Sequence, residues 1–160
     1  MKTKKALSIF LVDDDLFSLE MYQQVLNNLG YTKITCFERS TECLHELIQQ
    51  PDIVFLDYNM DNLNGIDILK KIKRFNPNIM VLFISGQNEI QVAVDSLKYG
   101  AFDYIHKSDF TEEKIKIAME KVEWMLELIH RKNKKGFFKR VLSGAGLLSI
   151  LFFWQKLQHK

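Results

Sequence analysis

Carboxylate, hydroxyl and amine side chains stand at four places where a short apolar run ends. Asp13-Asp14-Asp15 and Asp57 follow two such runs, Ser85 ends a third, and Lys107 follows a fourth. A single residue of this kind is more often a helix cap or a loop residue, but four at equivalent points favour a site. Carboxylates about 4 Å apart repel by about 4 kcal/mol per pair at an effective dielectric near 20, so a cation must lie among them. The spacing therefore predicts a site for a hard cation such as Mg²⁺, which also neutralises phosphate charge.

Five apolar segments alternate with five amphipathic ones. The predicted strands are 6–12, 33–37, 53–56, 79–84 and 102–105, and the predicted helices are 16–29, 41–49, 66–75, 89–99 and 112–130. The third and fourth strands show no polar alternation, which is typical of strands covered on both faces of a parallel sheet. Gly30, Gly100 and Pro77 each follow a predicted helix and end it. The pattern predicts an open α/β domain with short connections.

Residues 6–128 resemble the receiver domain of bacterial response regulators, particularly the single-domain chemotaxis type. The motifs that carry the resemblance are Val-Asp-Asp at 12–14, Asp57-Tyr-Asn-Met followed by Gly65, Ser85-Gly86, and Tyr104 three residues before Lys107. The resemblance implies a flavodoxin-like, doubly wound sheet of five parallel strands in the order 2-1-3-4-5, with five helices. In that order the strand that carries Asp57 lies between those that carry Asp13 and Ser85. Neighbouring strands are about 4.8 Å apart, so these side chains converge on one pocket.

The resemblance also implies the metal ligands of this pocket. Asp14 and Asp57 would bind Mg²⁺ directly, Asp13 would bind it through water, and the backbone carbonyl of Asn59 would complete the protein ligands.

Asp57 would be the phosphoacceptor, attacking a phosphohistidine of a sensor kinase or phosphotransfer protein, or a small acyl phosphate. Lys107 and Ser85 would each contact a phosphoryl oxygen. Ser85 and Tyr104 would form a switch in which the serine moves toward the phosphoryl group and the tyrosine turns inward. The chain would then signal to a downstream protein by contact, with phosphorylation-dependent dimerisation as one form of that contact. It would lose the phosphoryl group slowly and would not be a dedicated enzyme.

Three departures from the family pattern stand near the site. Ser108 follows Lys107 where the family usually has a proline in a cis peptide, so we expect a trans or strained peptide there. Asp61 stands where proline is common. Asn59 and Gln87 occupy positions that tune dephosphorylation in the family.

Two alternatives remain open. In a magnesium-dependent phosphatase of the haloacid-dehalogenase type, Asp13 would be the nucleophile and Asp15 the acid/base. Phe17 replaces the usual Thr or Val of that family, and no late acidic pair is present. In the receiver interpretation, Asp15 is a helix cap. The second alternative is a degenerate receiver that serves only for docking. The intact acidic positions and the lysine argue against it.

The charge is unevenly distributed along the chain. Residues 131–160 contain eight of the 22 Lys/Arg and none of the 20 Asp/Glu, which leaves 14 basic and 20 acidic residues in 1–130. We therefore predict a receiver domain at 1–130, followed by a basic hinge and a hydrophobic helical tail at 131–160. The acidic body is a poor candidate for nucleic acid, and the tail is too short for a winged helix, which argues against direct DNA binding.

The segment 137–160 has three competing interpretations: association with a membrane surface, docking on a protein or a second copy of the chain, and packing on the domain itself. We favour the first because residues 147–154 are apolar all round. The two cysteines, Cys36 and Cys43, show no disulfide or metal spacing, so we predict a cytoplasmic protein in which both are buried.

Overall fold

The computed structural model describes residues 6–60, 63–86 and 90–142, in which strands and helices alternate. The strands are β1 (Ile9–Val12), β2 (Ile34–Phe37), β3 (Ile53–Asp57), β4 (Met80–Ser85) and β5 (Asp103–His106). The helices are α1 (Leu16–Asn28), α2 (Ser40–Glu46), α3 (Gly65–Phe75), α4 (Ile90–Lys98) and α5 (Glu112–Leu142), with 3₁₀ turns at Leu47–Gln49 and Lys107–Asp109. All five strands are parallel, in the order β2-β1-β3-β4-β5. The predicted flavodoxin-like sheet is confirmed.

The central strands are buried on both faces. Every residue of β1, β3 and β4 is buried, as the absence of polar alternation predicts. On α3, Ile68, Leu69 and Ile72 are fully buried at the spacing of one helical face. Each such side chain contributes about 1.5–3 kcal/mol through removal from water. The result is a rigid sheet whose carboxyl edge fixes the residues that follow each strand.

Helix ends lie where the sequence predicts them. Gly30 and Gly100 follow α1 and α4 with φ angles of 91° and 99°, which glycine adopts without steric cost. Pro77 follows the end of α3 at Phe75. These stops keep the connections short and direct each following strand back into the sheet.

Two differences from the prediction are larger than a shift of about three residues at the end of an element. Asn59–Met60 pairs antiparallel with Leu63–Asn64 in a small ribbon directly after β3, and two-residue strands are too short to show periodicity. Helix α5 continues to Leu142 instead of ending at His130. The basic segment that follows is helical because Lys and Arg are good helix formers, and Arg131 pairs with Glu127 one turn earlier at 3.5 Å.

The prediction that both cysteines are buried is wrong for Cys36. Cys43 on α2 is buried, but Cys36 on β2 is exposed. Strand β2 lies at the edge of the sheet, paired only with β1, and its central residues Thr35 and Cys36 face solvent. Both thiols are free.

The chain divides into two compact units, with the boundary after Val122 within α5. The domain limits 1–130 and 131–160 stay predictions, as do the interpretations of the tail, since 143–160 lies outside the described residues. Within the described part of the chain, no helix is both long and apolar enough to cross a membrane. The prediction of membrane association through 137–160 therefore receives no support from these residues.

Candidate functional site

The carboxyl ends of β1 and β3 bring three aspartates together. Asp57 is the last residue of β3, and Asp13 follows β1, whose Val12 lies opposite Leu56 in the sheet. Both side chains are buried, Asp13 with 0 % and Asp57 with 1 % exposure, whereas Asp14 is exposed. Carboxylate oxygens of Asp13, Asp14 and Asp57 all lie within 4.8 Å of one another. The predicted convergence of these residues is confirmed.

Lys107 places a positive charge between the two buried carboxylates. Its Nζ atom donates a hydrogen bond to Asp13 Oδ2 at 2.8 Å and lies 3.1 Å from Asp57 Oδ1. The described residues contain no cis peptide bond, so the peptide between Lys107 and Ser108 is trans, as we expected for a non-proline residue. Lys107 reaches the acidic pocket from this trans peptide.

Burial disfavours the ionised forms of both Asp57 and Lys107, and neighbouring groups outweigh its effect on the pKa only for Lys107. Burial and the neighbouring Asp13 charge raise the pKa of Asp57 to about 6, although Lys107 and the Asn59 N–H act in the opposite direction. Burial alone would lower the pKa of Lys107, but its hydrogen bond to Asp13 and the charge of Asp57 raise it above its ordinary value. The site therefore contains a protonated Lys107 beside Asp57, whose carboxylate form needs further positive charge to be stabilised.

The hydrogen bonds around the carboxylates leave one oxygen open. Asp57 Oδ2 accepts the Asn59 N–H at 3.0 Å, and Asp13 Oδ1 accepts the Asp15 N–H at 3.0 Å. Asp57 Oδ1 is buried and accepts no hydrogen bond from the described residues, although it lies near Lys107. An all-oxygen donor set with an open buried oxygen and an exposed carboxylate, Asp14, fits a hard metal ion with water ligands.

Asp15 is a cap of α1 and does not join this cluster. Its side chain accepts the backbone N–H groups of Phe17 and Ser18 at 3.3 and 3.2 Å and the Ser18 hydroxyl at 2.7 Å. The Ser18 hydroxyl bond is the main reason that the pKa of Asp15 lies below its ordinary value. The haloacid-dehalogenase alternative has no support, because its proposed acid/base is occupied in capping a helix.

Ser85 and Tyr104 lie on neighbouring strands, as predicted. Ser85 is fully buried at the end of β4, and Tyr104 is half-buried on β5 and packs against the core. In the sheet, Tyr104 lies opposite Phe83 and His106 lies opposite Ser85. Their roles in a switch stay predictions. Asp61 and Gln87 lie outside the described residues.

Two residues near the site escaped the sequence analysis. Tyr22 is 1 % exposed on α1, its ring packs on Phe110 at 4.1 Å, and burial raises its pKa, with Asp13 and Asp57 adding to the rise. His106 accepts the Ser108 N–H through Nδ1 at 3.3 Å and so caps the turn that carries Lys107. A histidine two residues before a serine gives no strong sequence signal.

Gly65 lies against the backbone that carries Asp57. A Cβ atom at residue 65 would lie 2.9 Å from Asp57 O and from Tyr58 Cα and O, and the Gly65 N–H donates to Tyr58 O at 3.1 Å. The glycine of the motif is therefore required by close packing at the end of β3.

We expect Gly65→Ala to destabilise the protein by about 1–3 kcal/mol, because backbone atoms must move to admit the methyl group. The matched control is Gly86→Ala, whose Cβ would meet only Lys107 Cδ at an ordinary 3.8 Å. Urea unfolding of the two variants measures the difference. Equal unfolding midpoints would show that the Gly65 contact is not a constraint.

These features first define a class: small, doubly wound α/β domains with an acidic, lysine-paired pocket at the carboxyl ends of β1 and β3. A model of the response regulator receiver domain matches residues 9–120. The chain belongs to this family, and it carries a phosphoacceptor domain of two-component signalling.

Individual relatives agree with the family. The chain is 35 % identical over 100 residues to the transcriptional regulatory protein ZraR of Klebsiella oxytoca. The matched region covers 62 % of this chain and 22 % of that protein. The receiver domain of NtrX from Brucella abortus is 28 % identical with a TM-score of 0.67, covering 75 % of this chain and 98 % of that one. A CheX–CheY–BeF₃–Mg²⁺ complex from Borrelia burgdorferi is 27 % identical with a TM-score of 0.68, over 73 % of this chain and 89 % of that one. The chain spans less than half the length of the curated relatives it matches.

We expect Asp15→Ala to lower the midpoint of urea unfolding, because two N-terminal N–H groups of α1 lose their acceptor. Phosphoryl acceptance should stay at the wild-type rate, since this carboxylate only caps the helix. Asp14→Ala is the comparison, because its carboxylate belongs to the cluster. Loss of phosphoryl acceptance in Asp15→Ala would revive a chemical role for the residue.

Proposed function

We propose that Asp57 is the phosphoacceptor and receives its phosphoryl group from a sensor histidine kinase, a phosphotransfer protein or a small acyl phosphate. The observation that carries the proposal is the buried Oδ1 of Asp57, which accepts no hydrogen bond from the described residues and lies 3.1 Å from Lys107 Nζ. As this oxygen bonds to phosphorus, the donor's P–N or P–O bond breaks. The leaving group keeps the electron pair, as imidazole or as acetate from acetyl phosphate.

The metal in this proposal is Mg²⁺, held by Asp13, Asp14 and Asp57 together with the backbone carbonyl of Asn59. When bound, Mg²⁺ supplies the positive charge that lets a phosphate approach a carboxylate. The all-oxygen cluster supports this choice. So does the related CheY from Borrelia burgdorferi, whose complex contains Mg²⁺ and BeF₃.

The remaining polar residues act on the phosphoryl group. Lys107 moves from pairing with Asp13 and Asp57 to binding a phosphoryl oxygen, and its raised pKa keeps it charged throughout. Ser85 donates its hydroxyl to another oxygen, and Tyr104 on the neighbouring strand follows the movement of the serine. The protein's contribution is positioning and charge stabilisation.

The output in this proposal is contact with a downstream protein in the cytoplasm, including a phosphorylation-dependent dimer, without direct DNA binding. The excess of acidic over basic residues in 1–130 supports this. The relatives ZraR and DctD are named as transcriptional regulators, and this chain spans 22 % of each of them.

The test is phosphorylation of the purified full chain by acetyl phosphate with Mg²⁺, followed by mass spectrometry and hydroxylamine treatment. Wild type should gain one hydroxylamine-labile phosphoryl group, and Asp57→Asn should gain none. The matched control is Asp67→Asn on α3, an exposed carboxylate paired with Lys70 at 3.3 Å. A label that persists in Asp57→Asn but disappears in Asp13→Asn would identify Asp13 as the acceptor and overturn the proposal.

A further inference from the structure

The turn that carries Lys107 is tied to the side chain before it. Strand β5 ends at His106, and the 3₁₀ turn Lys107–Asp109 follows. His106 Nδ1 accepts the Ser108 N–H at 3.3 Å, and the Ser108 hydroxyl lies 2.7 Å from the same nitrogen. The Phe110 N–H closes the turn on Lys107 O at 3.2 Å. One ring nitrogen thus makes both contacts to Ser108.

The other contacts restrain the end of this turn: Asp109 pairs with Lys114 at 2.6 Å, and Asp109 O accepts the Thr111 N–H at 2.7 Å. Ser108 lacks the ring that fixes the φ angle of proline, and the peptide before it is trans. Lys107 must nevertheless hold its Nζ atom near both Asp13 and Asp57, at the end of a long side chain that is 30 % exposed. Holding a lysine side chain in one position costs rotamer entropy. If the backbone of the turn were also mobile, the amine would occupy many positions relative to the two carboxylates.

The imidazole itself is well placed to hold the turn. His106 lies opposite Ser85 in the sheet, and its Nε2 atom is buried without a hydrogen bond to any described residue. The Nε2 side of the ring is therefore enclosed by the protein, while Nδ1 contacts Ser108. Neither the metal cluster nor the acceptor oxygen involves this histidine.

We propose that His106 is a positioning residue for Lys107: by capping the Lys107–Asp109 turn through Nδ1, it fixes the lysine amine at the two carboxylates. The inference rests on the proposed function, because the amine is argued to bind the phosphoryl group transferred to Asp57. His106 does not touch the reacting atoms and acts only through the position of Lys107.

The activity test compares His106→Ala with His106→Asn in the full chain. Asparagine can replace the acceptor, as Asn64 and Asn76 show by accepting the N–H two residues later at 2.9 Å. We expect His106→Ala to lower the rate of phosphorylation by acetyl phosphate roughly three- to tenfold, the effect of losing one hydrogen bond, and His106→Asn to restore most of it. Equal rates in wild type and His106→Ala would overturn the proposal.

A double-mutant cycle separates positioning from general damage. In a Lys107→Ala background, His106→Ala should cause no further loss of rate, because the amine that it positions is absent. A loss of the same size in both backgrounds would refute positioning.

A second readout needs no phosphorylation. In the metal-free protein, urea unfolding measures the destabilisation caused by Lys107→Ala. This destabilisation should be smaller in a His106→Ala background than in wild type, and it should return to nearly the wild-type size in a His106→Asn background. An unchanged destabilisation would contradict the proposal even if wild type were phosphorylated normally. Conversely, a wild type without label but with this coupling would reject the function of Asp57 and retain the role of His106.

Discussion

Replacing Lys107 by methionine is expected to destabilise the metal-free protein by about 2 kcal/mol at neutral pH. Removing one partner of a buried ion pair leaves the other charge uncompensated, which costs about 3–5 kcal/mol when both are fully buried. Here Asp13 and Asp57 are buried, but Lys107 is 30 % exposed, so the effect is smaller. Chemical unfolding in the presence of a chelator measures it.

Magnesium should reverse this loss. In the variant the cluster of Asp13, Asp14 and Asp57 has no internal cation, so Mg²⁺ should raise the melting temperature of Lys107→Met more than that of wild type. The control is Lys114→Met, because Lys114 pairs with Asp109 at 2.6 Å on the surface, where such pairs contribute about 0–1 kcal/mol. An equal magnesium response in all three proteins would show that the metal does not replace the charge of Lys107, and no response in any of them would contradict a metal site at these aspartates.

The second large effect is the loss of a pH-dependent contribution to stability when Asp57 is replaced by asparagine. The pKa of Asp57 in the folded protein is about 6, above its ordinary value of 3.8, because burial and Asp13 disfavour the ionised form. The stabilisation from its bound proton is therefore complete below about pH 4 and is lost as the pH rises through 6. We compare the free energies of unfolding of the metal-free wild type and Asp57→Asn. Between pH 4 and pH 8, wild type should lose about 2–3 kcal/mol of stability relative to the variant.

The prediction concerns the difference in unfolding free energy between the two proteins. Other carboxylates, such as Asp15 and Asp109, have lowered pKa values and make the stability of both proteins rise with pH. Urea unfolding of both proteins from pH 4 to 8 with a chelator gives the curve. The same protonation competes with the metal, so the apparent affinity for Mg²⁺ should fall as the pH drops below 6. A pH-independent difference would mean that Asp57 is ionised normally in the folded state.

The sequence predicted the parts of this molecule that are governed by strong, local rules. Unbroken apolar runs gave β3 and β4, glycines marked the ends of α1 and α4, and strand order then brought Asp13 to Asp57. Lys107 was singled out by its place after an apolar run, and its role was predicted from the resemblance; its Nζ atom lies 2.8 Å from Asp13 Oδ2 and 3.1 Å from Asp57 Oδ1.

The remaining features depend on contacts between residues that show no periodic pattern. The ribbon of Asn59–Met60 with Leu63–Asn64 has too few residues for a strand signal. The His106–Ser108 cap is visible only when the ring and the N–H are placed in space. The exposure of Cys36 follows from the position of β2 at the edge of the sheet, which a single strand's sequence does not reveal.

The unequal environments of the two cysteines provide a native labelling site. Burial raises the pKa of Cys43 to about 12, so its thiol stays protonated and shielded, whereas Cys36 is exposed. A maleimide fluorophore should therefore attach at Cys36 alone, at mildly alkaline pH because partial burial raises that pKa too. Cys36 lies opposite Leu11 on β1, two residues before Asp13, so the dye would mark the strand next to the one that leads into the acidic pocket, without an engineered cysteine.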